Sequence, residues 1–381
     1  MAPTPHRATT DAALHRILVV TPPGAARDAE RAVAWPATAG LEWQVLATGD
    51  AAQARRAIEA GGIDALVLAR EAARDAALAA HASAYAARGR RIDYTPDPLD
   101  RATDACISGR GDHSLHWALQ HLASTTAHPY ATLRYGAAID QVGDLRLPLA
   151  PADRVPLVIL LHGGFWREAY RRDVMAPLAV DLARRGVATW NVEYRRVGGS
   201  GGGCPRTFDD VAAAFDFGAR LWERHPLEPR APVVLGHSAG GHLALWCAAR
   251  QRLPPGSPGA PPAAMPRLAV AIGAVADLAD ARRRGLGSGA VDAFVPRAAD
   301  DAWTDPAALL PLGVTQLVVH GTEDESVPFE LAASYVEAAW RAGDRVDWLP
   351  LAGVSHMPPI DPASDAWPRI VEHLRPHLFA R

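Results

Sequence analysis

The chain predicts an α/β protein made of two successive helix-covered sheets, and three observations predict it. From residue 16 to 123, short runs of Val, Ile and Leu alternate with alanine-rich stretches. The alternation restarts at Tyr130 with longer, more uniformly apolar runs. A length of 381 residues is also more chain than one ordinary core uses, which implies about two domains.

In the first part, residues 16–21, 42–46 and 63–68 are rich in β-branched and apolar side chains and read as strands of a βαβαβ unit. Helices are expected over 25–33, 50–60, 70–87 and 112–123, with Asp50 as an N-cap and Gly61 as a stop for the second. Shorter strands are expected at 90–93 and 105–107. The result is a small doubly wound, flavodoxin-like domain over residues 1–123, followed by a linker over 124–129. No Gly-x-Gly-x-x-Gly follows Thr21, which argues against a dinucleotide fold. Asp64 opens the third strand rather than closing it, which argues against a phosphoacceptor.

From residue 130 to 381 the pattern is that of a larger sheet. Runs 131–135 and 143–149 suggest a hairpin, and 156–161, 187–192, 232–235, 268–272 and 316–319 are unbroken apolar strands separated by helices. Strands apolar on both faces must be covered on both faces, as parallel strands are. The proline-rich stretch 253–266 reads as an irregular surface loop, and 277–305, interrupted by glycines, as an insertion placed to cap a site.

Composition narrows the function. A net charge of -3 gives no electrostatic reason to bind nucleic acid or an anionic membrane, so small neutral molecules are the expected partners. Cys106, Cys204 and Cys247 are an odd number without metal-ligand spacing, which points to a reducing compartment and away from zinc. The first apolar run, Ile17-Leu18-Val19-Val20, is too short for a signal-peptide core or a membrane span, so a soluble cytoplasmic protein is expected.

The chemistry is concentrated in Gly236-His237-Ser238-Ala239-Gly240, which lies between an apolar strand and the helix-like 241–247. That strand-turn-helix context is what a nucleophile elbow requires, because a sharp turn lifts the serine hydroxyl above the sheet. A serine hydroxyl is a weak nucleophile and needs a histidine base oriented by a carboxylate. Both follow in order: His320-Gly321-Thr322-Glu323-Asp324-Glu325 after one strand, and Gly353-Val354-Ser355-His356 after the next. Ser238, Asp324 and His356 are thus the candidate triad, with Glu323 as the alternative acid. Cys247 falls on the apolar face of the helix after the elbow and reads as buried filler.

Four stretches in order, His162-Gly163-Gly164-Phe165-Trp166, Glu193-Tyr194-Arg195 with Gly201-Gly202-Gly203-Cys204-Pro205, the Ser238 elbow, and the Asp324 and His356 loops, make residues 130–381 resemble the α/β-hydrolase family, in its esterase and kynurenine-formamidase-like branch. Cys204 departs from the tryptophan common at that position. The resemblance implies a serine hydrolase acting on a small carboxylic ester or a formyl or aryl amide, with no metal or organic cofactor. It implies that the backbone N–H groups of Gly164, Phe165 and Ala239 receive the oxyanion; His162, just before the oxyanion glycines, and His320 read as supporting hydrogen-bonding residues. Trp166 and Phe165 are candidates for the pocket wall, although a tryptophan there serves packing as readily. Two other readings remain: a peptidase of the prolyl-oligopeptidase type, and a sensor or scaffold whose N-terminal domain binds a ligand.

Overall fold

The computed structural model describes residues 16–22, 44–87, 90–97, 106–150, 152–296 and 302–379. The chain divides into two compact units, one within His6–Pro129 and one over Tyr130–Arg381. No helix among the described residues is long and apolar enough to cross a membrane.

The first unit holds five parallel strands, β1 (Arg16–Val20), β2 (Gln44–Thr48), β3 (Ala65–Ala69), β4 (Arg91–Thr95) and β5 (Cys106–Ser108), in the order β2-β1-β3-β4-β5. This is the flavodoxin-like winding. Period-two alternation splits its apolar residues between two cores: Ile17, Val19, Val67 and Ile92 on one face, Leu18, Val20, Leu66 and Leu68 on the other. Helix α1 (Ala51–Glu59) starts where the sequence places it, because the Asp50 carboxylate accepts the N–H groups of Ala52 at 2.8 Å and Gln53 at 3.3 Å.

Two expectations change here. The helix over 70–87 is broken: Ala72–Arg74 form a 3-10 turn and Asp75 is extended, its carboxylate capping the Leu78 N–H at 2.8 Å to restart the chain as α2 (Ala76–Ala87). The helix expected over 112–123 is α3 (Ser114–Ala127), so most of the expected linker 124–129 is helical. Ser124 donates to the Gln120 carbonyl at 2.9 Å and Thr125 to that of Leu122 at 3.0 Å, which satisfies the hydroxyls within the helix instead of against it. The helix expected over 25–33 lies outside the described residues.

The second unit is an eight-stranded sheet in the order β13-β12-β11-β10-β8-β9-β7-β6. It comprises β6 (Ala131–Arg134), β7 (Val142–Arg146), β8 (Leu157–Leu161), β9 (Ala188–Val192), β10 (Val233–His237), β11 (Leu268–Ile272), β12 (Thr315–Gly321) and β13 (Val346–Leu351). Strand β7 runs antiparallel to β6 and β9, and the other pairings are parallel. Helices α4 (Ala176–Arg184), α5 (Arg206–Gly218), α6 (Ala239–Ala249), α7 (Leu278–Arg283), α8 (Leu286–Phe294), α9 (Phe329–Ala342) and α10 (Ala366–Phe379) accompany it.

Every residue of α6 is buried, which is why its sequence carries no polar face. Cys247 lies within it, and burial pushes its thiol up to about 12, too high for a reactive thiolate. The stretch 253–266 is irregular, as expected, and Arg250 ties it down: its Nε donates to Gly259 O at 3.1 Å while its guanidinium forks onto Asp216 at 2.8 and 2.9 Å. From β8 the chain moves outward to β9, and from β10 it moves the other way to β11. The loops leaving β8 and β10 therefore diverge at the carboxyl ends of adjacent strands, where open α/β sheets form their crevice.

Replacing Asp50 by Ala should lower the unfolding free energy of the N-terminal unit by about 1 kcal/mol, and Asp50→Ser should restore most of it. Urea titration of the full chain, followed by far-ultraviolet circular dichroism, checks this.

Candidate active site

The elbow is built by crowding. Ser238 stands between β10 and α6 with φ 56° and ψ -120°, a region L-residues avoid. Holding it there costs on the order of 1–3 kcal/mol, which the surrounding hydrogen bonds must outweigh. Its N–H donates to Ile272 O at 2.8 Å, and its carbonyl accepts from the His242 N–H at 3.1 Å. The flanking glycines are needed for space. A Cβ on Gly236 would lie 1.9 Å from the Gly240 carbonyl oxygen, and one on Gly240 would lie 2.1 Å from that of Leu161. Gly241 is equally restricted, 2.6 Å from the Ala274 Cβ. The loop after β8 presses in from the other side: a Cβ on Gly163 would sit 2.9 Å from the Ser238 Cβ.

Asp324 and His356, on the loops after β12 and β13, meet with His356 Nδ1 donating to Asp324 Oδ2 at 2.7 Å. The other carboxylate oxygen accepts the N–H groups of Ser326 at 2.9 Å and Val327 at 2.8 Å. His320 Nε2 donates to Val327 O at 2.8 Å and stands 3.2 Å from Asp324 Oδ2. Burial alone would raise the Asp324 pKa. Hydrogen bonds from His320, His356 and the Val327 N–H outweigh it and hold the carboxyl well below the usual carboxylate range. Of the three adjacent acids, Glu323 is exposed, and Glu325 reaches only the His356 backbone N–H at 3.3 Å. Asp324 is the one against the imidazole.

His237, immediately before the serine, was not singled out from sequence. Its Nε2–H donates to the His356 carbonyl at 3.1 Å and the two rings lie 4.5 Å apart, which brings the histidine loop to the elbow. Gly273, at the end of β11, leaves the space between them, since a Cβ there would lie 3.2 Å from the His356 ring and 3.3 Å from Asp324 Oδ2. Among the described residues no hydrogen bond joins the Ser238 hydroxyl to His356. Contacts of this kind are commonly long in unliganded sites and tighten when substrate binds.

In the loop after β8, Gly164, Phe165 and Trp166 all have positive φ, at 105°, 50° and 57°. Gly164 lies against Tyr170, whose Cβ would be 2.3 Å from a side chain there. The N–H groups of Gly164, Phe165 and Ala239 donate to no acceptor among the described residues. Trp166 corrects an expectation. It is 0% exposed, stacked on Phe294 at 4.4 Å and set edge-on to His242 at 5.3 Å, so it packs the base of the loop and offers no surface to a substrate.

The support beneath this loop was also not legible. Glu193, fully buried after β9, lies 3.0 Å from His162 Nε2, accepts the Arg172 N–H at 3.1 Å, and pairs with the Arg196 and Arg171 guanidinium groups. His162 Nδ1 in turn faces Gly163 O at 2.8 Å, and the Tyr194 hydroxyl donates to His162 O at 2.7 Å. The sequence shows Glu193-Tyr194-Arg195 as a motif, but its function depends on Arg171, Arg172 and Asp140 from distant positions.

Residues 144–254 match the BD-FAE family model, that of an α/β-hydrolase-type esterase family. No curated protein matches the chain significantly. Among solved structures, a truncated carbohydrate esterase from gut microbiota superposes with TM-score 0.55 at 16% identity, over 64% of this chain and 94% of its own. An esterase, Est2, of the planctomycete Thermogutta terrifontis gives 0.54 at 21%, over 66% and 94%. Esterase B of Lactobacillus rhamnosis, solved with a tributyrin phosphonate inhibitor, gives 0.57 at 17%, over 65% and 84%. Fold and topology thus give the second unit an α/β-hydrolase fold.

His237 and His242 yield a pH prediction. Burial, with the His356 charge for His237, lowers their pKa values from 6.5 to about 3 and about 4. Below pH 6.5 the unfolded chain takes up these protons while the folded chain does not. Stability should therefore fall as pH drops from about 6.5 toward 4, by up to ~1.4 kcal/mol per pH unit for each ring. Thermal unfolding between pH 7 and 4.5 checks this, and His242→Gln should flatten the slope by one ring's share.

Proposed function

We propose that the α/β-hydrolase unit is a serine esterase that cleaves small carboxylic esters through an acyl-enzyme. The observation that carries this reading is the 2.7 Å bond between His356 and Asp324, made between two loops beside a serine held at φ 56°. In this reading Ser238 attacks the ester carbonyl as His356 takes its proton. Asp324 keeps the imidazole in the tautomer with Nδ1–H toward the carboxylate and stabilises the imidazolium that forms. Because Asp324 stays ionised well below neutral pH, it serves as a fixed counter-charge and not as a proton carrier.

The tetrahedral intermediate places negative charge on the former carbonyl oxygen. The unpaired N–H groups of Gly164, Phe165 and Ala239 are suited to receive it, each worth roughly 2.7–4 kcal/mol of transition-state stabilisation. Their strained or helix-terminal backbone keeps them from pairing within the protein, so no reorganisation is needed as charge develops. Protonation of the leaving alcohol by His356, followed by attack of a water that His356 deprotonates, returns the free serine.

A short acyl group is the favoured substrate feature. The Thermogutta esterase has been solved with propionate and with butyrate bound, and the neighbouring fold carries the argument by likeness alone. The same chemistry would open a formyl or aryl amide, so the substrate panel should include N-formylkynurenine and a dipeptide anilide beside p-nitrophenyl acetate and butyrate.

On p-nitrophenyl acetate, Ser238→Ala should reduce kcat by about five to six powers of ten and Asp324→Asn by about four, with unchanged circular dichroism. Glu323→Gln should stay within about twofold of the parent, because its side chain points to solvent. Ester hydrolysis retained by a clean Ser238→Ala preparation would reject the assignment.

A further inference from the structure

We propose that Gly287, in the insertion between β11 and β12, is a specificity-determining residue: its bare backbone seats the ring of Phe165 and so sets the wall that limits the acyl chain to short groups. The inference rests on the reading of Ser238 as the acylated residue and names what decides which acyl groups reach it.

The insertion has an unusual backbone. Gly287, Ser288 and Gly289 are consecutively left-handed, at φ 59°, 54° and 76°, and Gly285 just before them has φ 64°. L-residues visit this region singly and not in runs, so a full left-handed turn containing a serine persists only where its surroundings hold it. Those surroundings are the loop after β8. A Cβ on Gly287 would fall 2.6 Å from Phe165 Cδ1 and 2.8 Å from Cε1 and Cγ, which means that the ring lies directly on the glycine backbone. The Arg167 guanidinium donates to the Gly287 carbonyl. Further along the same segment, Phe294 stacks on Trp166 at 4.4 Å. Two left-handed stretches, Phe165-Trp166 and Gly287-Ser288-Gly289, thus brace each other.

Phe165 is the residue through which this bracing reaches the chemistry. Its N–H is one of the three donors without an acceptor, and its ring is half-buried, with one side against Gly287. In the esterase reading that N–H meets the oxyanion, and the ring of the same residue borders the carbonyl under attack. It cannot retreat toward the insertion, because Gly287 is already in contact with it, and any side chain at Gly287 would drive it away from the insertion. A small acyl group fits beside such a fixed wall, and a long one needs the wall removed.

The test uses the full chain and the ratio of kcat/KM for p-nitrophenyl octanoate to that for p-nitrophenyl acetate. Each preparation is normalised by active-site titration with a fluorophosphonate. Phe165→Ala should raise the ratio at least tenfold. Gly287→Ala should shift it at least fivefold, and adding Gly287→Ala to Phe165→Ala should change it less than twofold, since the new Cβ then meets no ring. Gly285→Ala serves as the control, because Gly285 has the same left-handed strain but nothing within 4 Å of its Cβ position, and its ratio should match the parent. The proposal is overturned if Gly287→Ala leaves the ratio unchanged, if Gly285→Ala shifts it equally, or if the Gly287 and Phe165 effects simply add. Should the parent titrate fully while Gly287→Ala behaves as the parent, only this inference fails. Should the parent neither titrate nor hydrolyse any ester, the esterase reading fails and takes the inference with it.

Discussion

The carboxyl ends of β8 and β10 leave no space for side chains at Gly163, Gly236 and Gly240, and the rest of the site depends on that crowding. Gly240 packs on the carbonyls of Leu161 and His162, and Gly163 packs on Ser238 and the His237 carbonyl. With both backbones this close, the turn from β10 into α6 has to be sharp, and Ser238 takes up the strained positive-φ conformation that results. The sharp turn at Ser238 is therefore the consequence of one steric fact, and the parallel register of β8 on β10, which pairs Leu161 with Gly236, produces it.

Strain of this kind needs rigid backing, and the structure supplies two sorts. Beneath the β8 loop is the ionic cluster around Glu193. Buried ion pairs contribute little net stability compared with apolar packing, yet removing one partner leaves a bare charge and costs about 3–5 kcal/mol. Such a cluster strongly resists rearrangement, which suits a loop with three successive positive φ angles. Against the base of the loop is an aromatic stack in which Trp166, Phe294, His242 and Phe208 touch in turn. It ties the β8 loop, α5, α6 and the insertion together. Both supports act on geometry, and neither needs to touch a substrate.

Local signals were legible in the sequence where one element could satisfy itself. Asp50 caps α1 with its own side chain, the apolar runs of the parallel strands are buried on both faces, and the Gly-x-Ser-x-Gly context specifies an elbow without reference to distant residues. The Asp324 and His356 loops were readable because each follows a strand end in chain order. What escaped was decided by partners far along the chain or by competing local bonds. Asp75 interrupts a good helical stretch because its carboxylate caps the next turn, and the Ser-Thr run after Leu122 stays helical because its hydroxyls bond backward. Trp166 looked like a pocket residue beside an oxyanion loop, but Phe294, over a hundred residues later, covers it. Glu193 and Arg171 carry no periodic or motif signal that links one to the other.

The central claim is that Ser238 is the nucleophile and that Asp324 and His356 activate it. Reaction of the full chain with a fluorophosphonate, followed by peptide mapping of the adduct, tests it most directly. The account predicts one equivalent of adduct on Ser238, formed at least a thousandfold more slowly in Asp324→Asn. Adduct on another residue, or labelling of Asp324→Asn at the parent rate, would contradict it.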